Sequence, residues 1–183
     1  LHPGSALAPV NLVISHRKHE KLNAACNLAE APLKSDVQWF ALTDSCTSEE
    51  LERRDKHTNQ PQDAAFWPGM IVTSVCTDRR TRNALPYEIL AFEEGSVRLR
   101  LAIVPSDADA ADDESEYASE VVLTRRKFFQ SMRLCYAMTY ASVQGVTIKS
   151  LLALYDTDHP YFDIKKLYVG TSRAVRHDLL IVH

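Results

Sequence analysis

The sequence predicts an α/β fold, a mainly parallel sheet with helices beside it, interrupted by a small antiparallel β unit. Three observations carry this. An apolar run at residues 11–15 leads directly into a helical pattern. From Gly69 onward the pattern changes to short β segments separated by turn residues. After residue 134, apolar runs of the kind buried in parallel sheets return, with one helical pattern between the last two.

Each element follows from its local pattern. Asn11-Leu-Val-Ile-Ser15 reads as a buried strand. Residues 17–29 place Leu22, Ala25, Cys26 and Ala29 at helical spacing, with Arg17, Lys18, Glu20 and Lys21 outside. Residues 30–68 speak less clearly: Val37–Leu42 reads as a strand, Ser48–Lys56 as a polar helical turn and Asn59-Gln60-Pro61-Gln62 as loop. Met70–Cys76, Tyr87–Phe92, Val97–Ile103 and Glu120–Leu123 read as strands, the second and third joined by the hairpin phrase Glu93-Glu94-Gly95-Ser96. Together they predict a small β-barrel at residues 66–123, inserted into an α/β domain formed by 1–65 and 124–183. Cys135–Thr139, Ile148–Tyr155 and Leu179–His183 supply the remaining strands of that domain. Residues 162–174 put Ile164, Leu167, Tyr168 and Thr171 on one helical face, expected to meet the core.

Composition narrows the function. With 45% hydrophobic and 25% charged residues the chain is globular. No apolar run approaches the roughly 18 residues that span a bilayer, so no membrane partner is expected. The first ten residues carry no signal-peptide pattern, and a start without Met reads as a fragment of a longer polypeptide. Cys26, Cys46, Cys76 and Cys135 form no CxxC pair and read as reduced thiols, which suggests an intracellular setting, nuclear or cytoplasmic. The net charge of −3 hides an asymmetry, because Ser106–Glu120 holds seven acids and no Lys or Arg. The rest of the chain is mildly basic, compatible with phosphate contacts.

Two segments carry chemistry. In Tyr136-Ala-Met-Thr-Tyr-Ala-Ser-Val-Gln-Gly-Val-Thr147 a buried strand ends at Thr139, and a small polar turn follows. Ligands of parallel α/β sheets gather at such strand ends. In Leu167-Tyr-Val-Gly-Thr-Ser-Arg-Ala174 the helix ends near Arg173, where its dipole favours a cation. Weaker features are the Arg79, Arg80 and Arg82 cluster, the Arg125, Arg126 and Lys127 cluster, and Asp156, Asp158 and His159, which have metal-ligand residue types. Solvated surface explains the cationic clusters, and a strand-to-helix turn explains the last group. Trp39 and Trp67 read as core residues.

The two segments together resemble motifs V and VI of superfamily-one helicases, especially the RecD-like and Dda-like branch. Motif V there follows Y-A-[IM]-T-x-H-K-x-Q-G-x-T, matched at Tyr136, Ala137, Met138, Thr139, Gln144, Gly145 and Thr147. Motif VI follows [LV]-Y-V-A-x-S-R-A, matched at Leu167, Tyr168, Val169, Ser172, Arg173 and Ala174. Val13–Asn23 is similar to motif IV, a strand running into T-N-K-x-x-x-x-x-N, and Trp67-Pro-Gly-Met-Ile-Val72 fits the opening of the barrel such helicases carry. The His-Lys of motif V is replaced by Ala141-Ser142, the Ala of motif VI by Gly170, and Thr-Asn-Lys by Ser15-His16-Arg17.

The resemblance implies a RecA-like second motor domain. Arg173 would be the arginine finger, Gln144, Gly145 and Arg17 would line the nucleotide cleft, and Thr139, Tyr140 and Ser142 would face single-stranded nucleic acid, DNA rather than RNA. No G-x-x-x-x-G-K-[ST] loop occurs in the 183 residues. ATP and magnesium would then be held mainly by a preceding RecA-like domain of the same polypeptide, and the isolated chain would hydrolyse nothing. The motif style is similar to helicases of large DNA viruses and mobile elements. Two other expectations stand beside it: a degenerate helicase-like scaffolding module, and a metal-dependent nuclease using Asp156, Asp158 and His159.

Overall fold

The computed structural model describes residues 8–45, 47, 49, 60–102, 120–143 and 147–183. In chain order its elements are β1 (Val10–Val13), α1 (His16–Glu30), β2 (Gln38–Phe40), α2 (Leu42–Ser45), β3 (Ala64–Phe66), β4 (Ile71–Ser74), β5 (Pro86–Glu93), β6 (Ser96–Leu101), β7 (Glu120–Thr124), α3 (Arg125–Ser131), β8 (Met132–Leu134), β9 (Ala137–Thr139), β10 (Leu152–Leu154), α4 (Ile164–Thr171) and β11 (Leu180–Val182). They fall into two compact units, residues 1–29 with 135–183, and residues 30–134. The second unit is wider than the 66–123 expected for the insertion, because β2, α2, β3, α3 and β8 also belong to it.

The first unit is built on a parallel sheet in the order β11-β10-β1-β9. Its strands alternate between two apolar layers. Val13, Ala137 and Ala153 pack with Leu22 of α1, whereas Leu12, Leu152 and Leu154 pack with Tyr140, Val143 and Ile148 and against Leu167 and Val169 of α4. Burial on both faces is why β1 and β10 read as apolar runs, whereas in the edge strand β11 Ile181 and Val182 are exposed. The run expected as one strand, Ile148–Tyr155, is shorter: Ile148 forms an isolated bridge to Ala174, and β10 begins at Leu152. Within α4 only Leu167 of the expected core face packs inward. Ile164 and Tyr168 are 75% and 70% exposed, and Leu167, Val169 and Gly170 face inward.

The second unit contains an antiparallel sheet in the order β7-β6-β5-β4-β8 and a ribbon of β2 and β3. The β5–β6 hairpin turns at Gly95, whose φ of +76° suits glycine. Among the described residues no ladder joins β7 to β8, so the sheet is open there and the expected closed barrel is not seen. Phe40, Phe66 and Phe128 pack with ring centroids 5.0–5.4 Å apart and form an aromatic centre with Phe129. Helix α3, absent from the sequence expectations, starts where the Thr124 hydroxyl accepts the Lys127 amide at 3.2 Å. Trp67 is core as expected, but Trp39 is half exposed, on the solvent side of the ribbon. Of the Ser48–Lys56 turn, only Glu49 is among the described residues.

Candidate functional site

The motif V strand β9 is the edge of the parallel sheet, and two asparagines hold it. On the inner side the Asn11 amide and side-chain Nδ2 both donate to Tyr136 O at 2.8 Å. On the outer side Asn23 of α1 accepts the Ala137 amide through Oδ1 at 2.9 Å, doing what a fifth strand would do. Asn23 is buried and occupies the final Asn of the motif IV pattern. It was missed as a site residue; an Asn among His19, Leu22 and Cys26 on the buried stripe of a helix is the signal that marks it.

Beyond β9 the chain turns on itself. Ser142 N donates to Thr139 O at 3.0 Å, and Ser142 Oγ lies 3.0 Å from Thr139 N and 3.1 Å from Thr139 Oγ1. Both side chains are thus engaged with each other, Thr139 half-buried and Ser142 exposed. Tyr140 departs from expectation. Its ring is in the core, 3% exposed, and its hydroxyl donates to Tyr155 O at 2.9 Å, so the side chain does not face nucleic acid. Burial pushes its phenol well above the usual range. Gln144 and Gly145 lie outside the described residues.

Arg173 sits where α4 hands the chain to β11. The Asp163 carboxylate caps the start of α4 by accepting the Lys166 amide at 2.9 Å. At its other end Ser172 N donates to Tyr168 O at 2.9 Å and Arg173 N to Gly170 O at 3.2 Å. Ile148 N then donates to Arg173 O at 2.8 Å, and Val175 N to Ile148 O at 3.3 Å. The backbone around Arg173 is therefore fastened to the segment that leaves motif V. Its guanidinium reaches only the neighbouring Ser172 Oγ, at 3.0 and 3.3 Å, and no carboxylate pairs with it among the described residues. Arg176 differs: both its Nε and Nη2 meet the Asp178 carboxylate.

The bridge between Ile148 and Ala174 precedes the β10–β11 ladder, so Arg173 lies towards the amino ends of those strands. Thr139 and Ser142 lie at the carboxyl end of β9, and Arg17, exposed on the first turn of α1, follows the carboxyl end of β1. The structure brings Thr139 and Ser142 together but leaves Arg17 and Arg173 at opposite strand ends. Asp156 is taken up structurally. One carboxylate oxygen accepts Ile14 N at 2.9 Å and the other pairs with Lys18, which leaves the nuclease reading without its first ligand. Among the described residues no cluster of three or more His, Cys, Asp or Glu is arranged to hold a metal ion.

No protein-family model matches the sequence, and no curated protein matches it. Solved structures do. A Pif1 helicase from a study of DNA unwinding at forked duplexes by two coordinating Pif1 helicases aligns over 98% of this chain and 40% of its own, at 14% identity and a TM-score of 0.59. Pif1 of Candida albicans aligns over 98% and 45%, at 14% identity and a TM-score of 0.59. Bacteroides Pif1 bound to single-stranded DNA aligns over 98% and 41%, at 14% identity and a TM-score of 0.55. The fold is that of Pif1 helicases. The chain spans less than half the length of these three Pif1 helicases.

Proposed function

We propose that this chain is the second motor half of an ATP-dependent, single-strand-tracking DNA helicase, with Arg173 as its arginine finger and residues 30–134 in the place of the inserted barrel. The observation that carries the reading is the outer side of α4. Tyr161 before the helix, and Ile164 and Tyr168 within it, are all at least 70% exposed, and the helix leads into Arg173, whose guanidinium has no carboxylate partner among the described residues. Large uncovered apolar side chains on the helix that leads to this cation suit a face that another domain covers and an anion enters. The absence of a phosphate loop from the 183 residues supports the same division of labour.

In this reading the preceding RecA-like domain holds ATP and magnesium, and Arg173 meets the charge that spreads over the γ-phosphate oxygens during transfer. Gln144 and Gly145 line the cleft from the motif V side. Thr139 and Ser142 touch the single strand at the other strand ends, and the segment between Ser142 and Ile148 links the two. Arg17 contributes from the carboxyl end of β1, apart from the finger. Bacteroides Pif1, 15% identical with a TM-score of 0.54 over 41% of its own chain, was solved in complex with ADP-AlF3 and single-stranded DNA, which supports this reading. The scaffolding alternative draws on Ser142, which stands where the motif has Lys and spends its hydroxyl on Thr139. Steady-state hydrolysis by the complete polypeptide separates the two. The helicase reading requires DNA-stimulated turnover that Arg173→Ala removes; a complete polypeptide without turnover leaves the scaffold.

A further inference from the structure

Strand β9 is an edge of the parallel sheet among the described residues, and its backbone groups alternate between the two sides of the strand. Tyr136 and Tyr140 bond to β1: Asn11 N donates to Tyr136 O at 2.8 Å, and Tyr140 N to Val13 O at 3.3 Å. Ala137 and Thr139 therefore turn their amides to the open side. The Thr139 amide meets Ser142 Oγ at 3.0 Å, a bond inside its own turn. The Ala137 amide meets Asn23 Oδ1 at 2.9 Å, and Asn23 belongs to α1. Asn23 thus ties the open edge of β9 to another element.

The tie is held in one orientation. Because Oδ1 is committed to a donor, Nδ2 is the end that faces His19 Nε2 at 3.1 Å and Ala137 O at 3.5 Å. An amide nitrogen only donates, so His19 presents an unprotonated Nε2 to it. Asn23 and His19 are both buried, and the low local dielectric strengthens the bonds between them. Without Asn23 the Ala137 amide loses its acceptor, a costly state for a buried donor.

The turn beyond β9 has apolar anchors of its own, Tyr140 and Val143, on the α4 face of the sheet. Apolar contacts are non-directional and fix how deep the turn sits. A hydrogen bond at the lateral edge is directional, and it fixes where the strand stands sideways. We propose that Asn23 is a positioning residue for single-strand binding, setting the lateral place of β9 and through it that of Thr139 and Ser142. The proposal rests on the helicase reading, in which those two residues touch the single strand.

Fluorescence anisotropy of the 183-residue chain with labelled oligothymidine at low salt tests it, beside amide hydrogen exchange and urea unfolding. Asn23→Leu nearly keeps the side-chain volume and removes both polar ends. Affinity should fall at least about fivefold, because a surface no longer held in its bound arrangement binds less tightly. Asn23→Asp keeps an acceptor for the Ala137 amide, with His19 then turning a protonated Nε2 to it, and should restore most of the affinity. Leu22→Ala is the control: it weakens the apolar layer around Ala137 without touching the β9 backbone. It should lower stability and leave affinity near that of the unaltered chain. In exchange, Asn23→Leu frees the Ala137 amide ahead of the Asn11 amide, whereas Leu22→Ala speeds both together. Should the leucine variant fail to fold, Asn23→Ala removes the same bonds and gives the same result. Unchanged affinity in a folded variant lacking both polar ends overturns this proposal alone. So does a loss shared by Leu22→Ala or not restored by Asn23→Asp, since the residue is then only structural. An unaltered chain that binds no oligothymidine removes the single-strand reading and this proposal with it.

Discussion

At Arg173 the guanidinium meets only the Ser172 hydroxyl among the described residues, while three residues on Arg176 is bound through Nε and Nη2 by Asp178. This contrast makes the pair an internal control. Arginine fingers contribute on the order of 10³–10⁵ in turnover. In the complete polypeptide Arg173→Ala is expected to lower hydrolysis by that order with nucleotide affinity largely kept. Arg173→Lys restores little, because an ammonium cannot meet two oxygens with one planar fork. Arg176→Ala costs only a surface ion pair and leaves turnover near normal. Tyr140 separates a core role from a nucleic-acid role in the same way. Tyr140→Phe removes the bond to Tyr155 O and should cost about 1–2 kcal/mol in urea unfolding, since a buried acceptor is left unpaired. Oligonucleotide affinity should not change; a marked drop would return Tyr140 to the binding surface.

Among the elements, α4 shows how a departure from a motif follows from packing. The motif has Ala where this chain has Gly170, and a Cβ there would lie 2.8 Å from Leu154 Cδ2 and 3.2 Å from Tyr140 Cε1. Glycine in a helix interior gives up about 1 kcal/mol relative to alanine, but overfilling a packed core costs about 1–3 kcal/mol. Gly170→Ala is therefore expected to destabilise the chain despite the better helix propensity. Combining it with Leu154→Val, which removes the offending methyls, should cost less than the sum of the two single changes by at least about 0.5 kcal/mol. Strict additivity in thermal or urea unfolding would show that the helix simply moves away. Strand β9 illustrates the complementary point. A three-residue edge strand persists because Asn11 and Asn23 satisfy its backbone from both sides.

For the whole molecule, no phosphate loop occurs in the 183 residues, and the motif V cation is missing. The purified chain should hydrolyse no ATP above background. It should bind single strands weakly; about three phosphate contacts imply a roughly 20-fold loss between 50 and 200 mM salt. Tight binding indifferent to salt would point to stacking, with the exposed Trp39 as the first residue to replace. The parallel strands, α1, the β5–β6 hairpin and the helix carrying Arg173 were legible because each leaves a periodic or turn pattern in adjacent residues. The sequence by itself therefore determined the α/β class, the order of the strands and helices of the parallel-sheet unit and the position of Arg173 at a helix end. Only the tertiary structure decided which side of α4 is covered, that Tyr140 is core and Trp39 is not, that Asp156 is tied to Ile14 and Lys18, and that the second compact unit runs from Glu30 to Leu134. The reason is physical: periodicity records that a residue type suits burial, whereas burial itself depends on neighbours far along the chain, such as Leu154 beneath Gly170 or Asn23 beside Ala137.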